Sequence, residues 1–192
     1  MKSKIAIFAS GRGSNSRALI EHFKDHPSIA VDCIICNRKL AGVFNVANES
    51  KLEAFYFPKA EFESSIKLLE LLKKRGVDWI VLAGFLLKIP SMIIGAYQGR
   101  MVNIHPALLP KFGGAGMYGD FVHKAVLESK EEKSGISIHW VDENYDTGSL
   151  IDQFECEISE DEDLQSLKLK IQKLEHEHLP KVLEQLILKA EA

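Results

Sequence analysis

Short runs of aliphatic and β-branched residues, each followed by a stretch of helical periodicity, recur through the first half of the chain and restrict it to one class of fold. The runs 4–9, 30–36, 54–57, 79–83 and 101–104 read as strands. Between them, 15–25, 42–50, 61–75 and 91–97 read as helices. Strict alternation of this kind predicts an α/β fold of three layers: a twisted, mostly parallel sheet, Rossmann-like, with right-handed crossover helices on both faces. Beyond residue 104 the rhythm changes. A helix over 120–129 precedes strands over 135–141 and 149–157 joined by a polar loop, which predicts an antiparallel element in the C-terminal part. A helix follows over 163–178, with Leu164, Leu167, Ile171 and Leu174 on one stripe, and Pro180 is expected to kink it or to start a new helix.

The 192 residues suit one core and predict a single domain over 1–192. A net charge of −3 with interspersed signs offers no broad basic field, so small-molecule substrates are expected rather than nucleic acid or a membrane surface. The apolar run after Met1 is too short for a signal peptide or a membrane span, and a cytoplasmic location is expected. The oligomeric state is left open, with a homodimer among the options. Cys33 and Cys36 have the C-x-x-C spacing of a redox pair, but an odd separation in an extended run points them to opposite faces; they are expected to be buried and structural. No second Cys pair or His cluster completes a zinc site, and no metal is expected.

In doubly wound sheets ligands gather beyond the carboxyl ends of the strands. Four unusual segments fall there. Ser10-Gly11-Arg12-Gly13-Ser14-Asn15 leaves a strand and opens a helix, and its free amides and positive helix end suit an anion. It lacks the third glycine and the acid of a dinucleotide fingerprint, so a phosphomonoester fits better, with a plain glycine turn as the alternative. Gly84–Ile89 stays apolar as it leaves its strand, against which a flat heterocycle could lie. Asn103 and His105, two residues apart in an extended segment, share a face, and Pro106 and Pro110 stiffen the exit. Asp146 ends a turn-rich loop and, if beside His105, is expected to raise that ring's pKa and hold it as a charged donor. An amide, an imidazole and a carboxylate together predict acyl-transfer chemistry. His139 is read equally as a network member or a structural residue, while His22, His26 and Glu175 read as helix surface.

With Gly-Arg-Gly-Ser-Asn, Leu-Ala-Gly-Phe, Asn-Ile-His-Pro-Ala-Leu-Leu-Pro, His139–Ile151 and Gln172–His176 taken together, the chain resembles the folate-dependent formyltransferases over nearly its whole length. The resemblance implies Asn103, His105 and Asp146 as the catalytic trio. It implies Gly13, Ser14 and Asn15 at a ribonucleotide phosphate, and Gln172 and Glu175 at the glycinamide and ribose end. Leu86, Leu87, Lys88 and Ile89, with Asn103, Asp142, Glu143, Asn144 and Tyr145, are implied at the pterin of 10-formyltetrahydrofolate, the implied co-substrate. The implied acceptor is the primary amine of 5-phosphoribosylglycinamide, in purine biosynthesis. Residues 1–100 would form the phosphate-binding half and 101–192 the catalytic and folate-binding half. A formyltetrahydrofolate deformylase, or a non-catalytic nucleotide-binding module, is the alternative. Residues 111–119 are longer and richer in glycine than the matching loop of many relatives and suggest a mobile lid. Lys59 or Lys88 is left for the glutamate tail of folate.

Overall fold

In this computed structural model, which describes residues 2–191, the predicted strands form one seven-stranded sheet. The strands are β1 (Ser3–Phe8), β2 (Ile29–Cys36), β3 (Glu53–Tyr56), β4 (Trp79–Leu82), β5 (Met101–His105), β6 (Lys133–Trp140) and β7 (Leu150–Glu157). Their order is β3-β2-β1-β4-β5-β6-β7. The first five are parallel, β6 runs antiparallel to β5, and β7 antiparallel to β6. The helices are α1 (Ser14–Phe23), α2 (Val43–Glu49), α3 (Lys59–Ser64), α4 (Ile66–Arg75), α5 (Ser91–Ala96), α6 (Asp120–Glu128) and α7 (Leu164–Glu191).

Period-two alternation in buried strands divides the core in two. Ile5, Ile7, Trp79, Val81, Val102 and Ile104 face one side, packed on Leu19 and Phe23 of α1, Val122 and Val126 of α6, and the apolar stripe of α7. Ala6, Phe8, Ile80 and Leu82 face the other, packed on Phe62, Leu68, Leu72 and Ile93 of α3, α4 and α5. Large apolar side chains buried this completely contribute about 1.5–3 kcal/mol each before chain entropy is set against them. Cys36 lies in the first layer and Cys33 in the second, so the two thiols are on opposite faces as the odd spacing requires. Both are free, and burial pushes the Cys33 thiol up to about 12.

Two helices differ from expectation. The helix expected over 61–75 is broken at Ser65, whose φ of 62° ends α3; its buried Oγ donates to the carbonyl of Phe62. The local hydrogen bond replaces a helical one, a competition that serine wins more often than most residues. Of the two outcomes expected at Pro180, a kink or a new helical start, the new start does not occur: α7 runs through it as one helix. Leu179, Pro180, Leu183 and Ile187 are all buried, and continuous burial of this stripe offsets a penalty of about 3 kcal/mol for proline within a helix. His22 and His26 are not bare surface either. Both reach Glu184 of α7, at 2.6 and 3.3 Å, and clamp α1 to it.

Strand order reverses between β1 and β4, and the loops leaving β1, β4 and β5 open at the same edge of the sheet. This edge is where the parallel topology leaves strand ends uncovered.

Candidate active site

A cavity of about 390 Å³ opens at that edge, and the four segments singled out in the sequence all line it. At one end the chain turns sharply out of β1. Gly13 has a φ of 83°, and a Cβ there would lie 2.8 Å from Cγ2 of Val43, so both conformation and space require glycine. The turn delivers Ser14 and Asn15 to the first turn of α1, where the first backbone amides of a helix have no helical partners, and both residues line the cavity. Ser10 fixes the neighbouring wall: its Oγ accepts from the backbone N–H of Leu86 at 3.0 Å and donates to Oδ1 of Asn37 at 2.5 Å. Sequence reasoning did not foresee Ser10 or Asn37 as supports.

At the reacting end, β5 carries Asn103 and His105 to the cavity on one face. Antiparallel pairing sets Asn103 opposite His139 and His105 opposite Ser137. Ser137 anchors the proline-bounded exit, donating to the carbonyl of Ala107 at 2.7 Å and accepting from the N–H of Leu109 at 2.9 Å. His139 joins the polar network: with its Nδ1–H given to the carbonyl of Trp140 at 2.8 Å, Nε2 is left to accept from Nδ2 of Asn103 at 2.9 Å. The second N–H of that amide goes to Oδ1 of Asp146 at 3.2 Å.

Asp146 is half-buried in a left-handed turn, φ 57°, held by the N–H of Gly114 at 3.0 Å on Oδ2. The loop approaches β6 so closely that a Cβ on Gly148 would sit 1.8 Å from the carbonyl oxygen of Trp140. Burial alone would raise the Asp146 carboxyl, but the neighbouring His139 and His105 rings and the Gly114 amide hold it below the ordinary carboxylate range. Oδ2 lies 3.4 Å from Nδ1 of His105. The three groups are therefore one contact set.

The state of His105 departs from expectation. Burial, the largest effect, pulls its pKa below the ordinary imidazole value, against the opposing charge of Asp146 and the carbonyl of Phe112, which Nε2 meets at 2.8 Å. The carboxylate reduces the drop and does not reverse it. Both ring nitrogens nevertheless face oxygen acceptors, so the surroundings are arranged to take a charged ring once negative charge develops beside it.

Along α7, Lys168, Ile171, Gln172 and Glu175 line the cavity at helical spacing, and Glu175 is not the plain surface its sequence context suggested. Nδ2 of Asn15 donates to its Oε2 at 3.1 Å, and burial raises the carboxyl to about 7. Leu86, Leu87, Lys88 and Ile89 line the cavity, as do Asp142, Asn144 and Tyr145; Glu143 is exposed and is not among the lining residues. Lys88 is on the rim, whereas Lys59 is paired with Glu63 outside the cavity. Gly114–Gly119 cover one side. Among the described residues no group of three or more His, Cys, Asp or Glu could hold a metal ion, and no helix is long and apolar enough to cross a membrane.

This pairing of an anion-ready helix start with an amide, imidazole and carboxylate is matched at the level of the whole chain, where residues 3–183 fit the family described as formyl transferase. The chain belongs to the formyl transferase family. A Bacillus subtilis member named phosphoribosylglycinamide formyltransferase is 36% identical over 96% of this chain and 94% of its own length. A chloroplastic one from Arabidopsis thaliana is 40% identical over 91% of this chain, which spans only 62% of that relative. Among solved structures, the Bacillus halodurans phosphoribosylglycinamide formyltransferase superposes with a TM-score of 0.87 at 34% identity, covering 98% of this chain and 97% of that one. The formyl transferase fold thus accounts for the mixed sheet as well as for the edge at which the cavity opens.

Proposed function

We propose that the protein transfers the formyl group of 10-formyltetrahydrofolate to the primary amine of 5-phosphoribosylglycinamide, a step of purine biosynthesis. One observation carries this reading: a single cavity joins the start of α1 to the contact set of Asn103, His105 and Asp146. The phosphate of the acceptor fits the amides of Gly13, Ser14 and Asn15, and Gln172 and Glu175 face its ribose and amide. The formyl donor fits the opposite wall, where Leu86, Leu87 and Ile89 are apolar and Asp142, Asn144 and Tyr145 supply polar contacts. Lys88, on the rim and without an ion-pair partner among the described residues, suits its glutamate tail. In this division residues 1–100 hold the phosphate and 101–192 carry the catalytic groups.

The donor supplies an electrophilic formyl carbon. As the amine adds to that carbon, negative charge gathers on the formyl oxygen. Asn103 and His105 are the donors within reach, and Asp146 favours the charged ring. Both N–H groups of Asn103 are committed to His139 and Asp146, and Nε2 of His105 to Phe112, so donation requires one bond at each to yield to substrate. The proton lost by the amine passes to the departing folate nitrogen as the carbon–nitrogen bond to folate breaks. Holding both reactants in one cleft supplies proximity, worth up to about 7–11 kcal/mol in well-oriented systems. Unpaired buried thiols fit a reducing compartment, and we place the protein in the cytoplasm.

The test offers purified protein 10-formyltetrahydrofolate with the phosphorylated glycinamide, with initiator methionyl-tRNA, or with water alone. Formylation of the ribonucleotide is the expected result. Release of formate without an acceptor would make the protein a deformylase, and turnover with none of the three would leave a binding module.

A further inference from the structure

Three imidazoles line the cavity, and only two of them have hydrogen-bond partners. His105 and His139 are held as described. His123, in the second half of the first turn of α6, is 5% exposed, and its Nδ1 is enclosed with no partner among the described residues.

The surroundings of this ring determine what it can offer. On its own helix stand Asp120 and Lys124; from α7 comes Lys168, and from β5 comes His105. Lys168 bonds Oδ1 of Asp120 at 2.5 Å, so the carboxylate nearest in sequence is already committed. Burial, the leading effect, lowers the His123 pKa; Lys168 and His105 add to it and Asp120 opposes it. The start of a helix also disfavours a cation. The ring is therefore neutral near pH 7, with one donor and one acceptor nitrogen. Nδ1 is enclosed, which leaves Nε2 as the atom able to meet a ligand. The ring feels the charges of both His105 and Lys168 of α7 and lines the same cavity as Ile171, Gln172 and Glu175, the stretch an acceptor crosses from its phosphate to the reacting carbon.

We propose that His123 hydrogen-bonds through Nε2 to the amide that joins the attacking amine to the ribose, and so aims the amine at the formyl carbon. The proposal rests on the acceptor-formylation reading of the cavity. Its test keeps the two separable, because acceptor binding is measured by calorimetric titration as well as by turnover. His123→Ala is expected to raise both the KM and the Kd for 5-phosphoribosylglycinamide about 10-fold, the scale of one lost hydrogen bond. The KM for the folate should stay within about twofold and kcat within about threefold. His123→Gln, whose amide reaches the position of Nε2, is expected to restore most of the loss. His123→Leu, which keeps volume without either nitrogen, should behave as alanine and keeps the test open if the alanine variant does not fold.

An unchanged acceptor Kd in the alanine or leucine variant would overturn the proposal. So would a rise in both KM values with a lowered Tm, or no difference between glutamine and leucine. If the wild type binds the acceptor without formylating it, the functional reading falls while the His123 binding difference still decides its role. If the wild type does not bind it, both fall.

Discussion

The two ends of the cavity are built on opposite principles. At the reacting end every polar group is satisfied within the protein: Asn103 by His139 and Asp146, His139 by Trp140, Asp146 by Gly114, and His105 by Phe112. At the acceptor end buried groups are left over, including Oδ1 of Asn15 and Nδ1 of His123. The first arrangement holds catalytic groups in place before substrate arrives, which is where electrostatic stabilisation of a transition state gains most. The second leaves enclosed polar atoms unpaired, at a cost in stability, on side chains that line the cavity. Mutations should therefore act differently at the two ends, on turnover at one and on acceptor affinity at the other.

The largest expected effect is at the reacting end. Asp146→Asn removes the charge that favours a protonated His105 while keeping the size of the side chain. Turnover should fall about 10²- to 10³-fold, with acceptor KM within a few-fold, as steady-state kinetics would read. A fall in acceptor affinity with kcat intact would merge the two ends and break the comparison.

A paired substitution compares them directly. Asn103→Leu strands Nε2 of His139 and Oδ1 of Asp146, and should destabilise the fold by about 1–3 kcal/mol. Asn15→Leu discards an oxygen with no partner and strands only Oε2 of Glu175, so it should cost less stability than Asn103→Leu, which strands two groups, while acceptor binding weakens. Urea denaturation of both variants, with calorimetric titration of the second, reads these outcomes. Equal destabilisation of the two would contradict the contrast.

Much of this organisation was legible in the sequence, for physical reasons that also mark its limits. Apolar runs in β1, β2 and β4 reveal strands buried on both faces, and the odd spacing of Cys33 and Cys36 gives their directions outright. Asn103 and His105 could be paired because a strand has period two. That α7 continues past Pro180 could not be read from local propensity, which says nothing of the stripe that the helix buries on both sides of it. Ser10, Asn37 and His123 carry no periodic or motif signal, since a single polar residue shows its partners only in three dimensions. Glu175 came from resemblance alone, as its context is that of an ordinary solvated helix. The proximity of Asp146 to His105 was foreseen but not the direction of the ring's pKa, because depth of burial cannot be read from residue order.

A turn at the acceptor end gives a smaller effect. Gly13→Ala places a Cβ against Val43 at a positive φ, and should lower stability by about 1–3 kcal/mol and raise acceptor KM with kcat little changed. Thermal unfolding and kinetics together would check it.

The last prediction concerns stability alone and is a pH dependence. The Glu175 carboxyl titrates near 7 in the fold and close to 4.5 when unfolded, so between those values the folded state binds the extra proton. Stability from this group is fully present below about pH 4.5 and is lost as the pH rises through about 7. Glu175→Gln should flatten that part of the profile, raising Tm relative to wild type at pH 8 and leaving it close to wild type at pH 4.5. Parallel profiles for the two proteins would remove Glu175 from the groups held at a stability cost.

The account stands most directly on where two substrates lie, and a crystal structure with 5-phosphoribosylglycinamide and a non-reactive folate analogue bound together would measure it. The phosphate is predicted on the backbone amides of Gly13, Ser14 and Asn15, with the amine beside Asn103 and His105 and within reach of the position of the formyl carbon. A phosphate bound away from the start of α1, or an amine remote from both side chains in a closed complex, would contradict it.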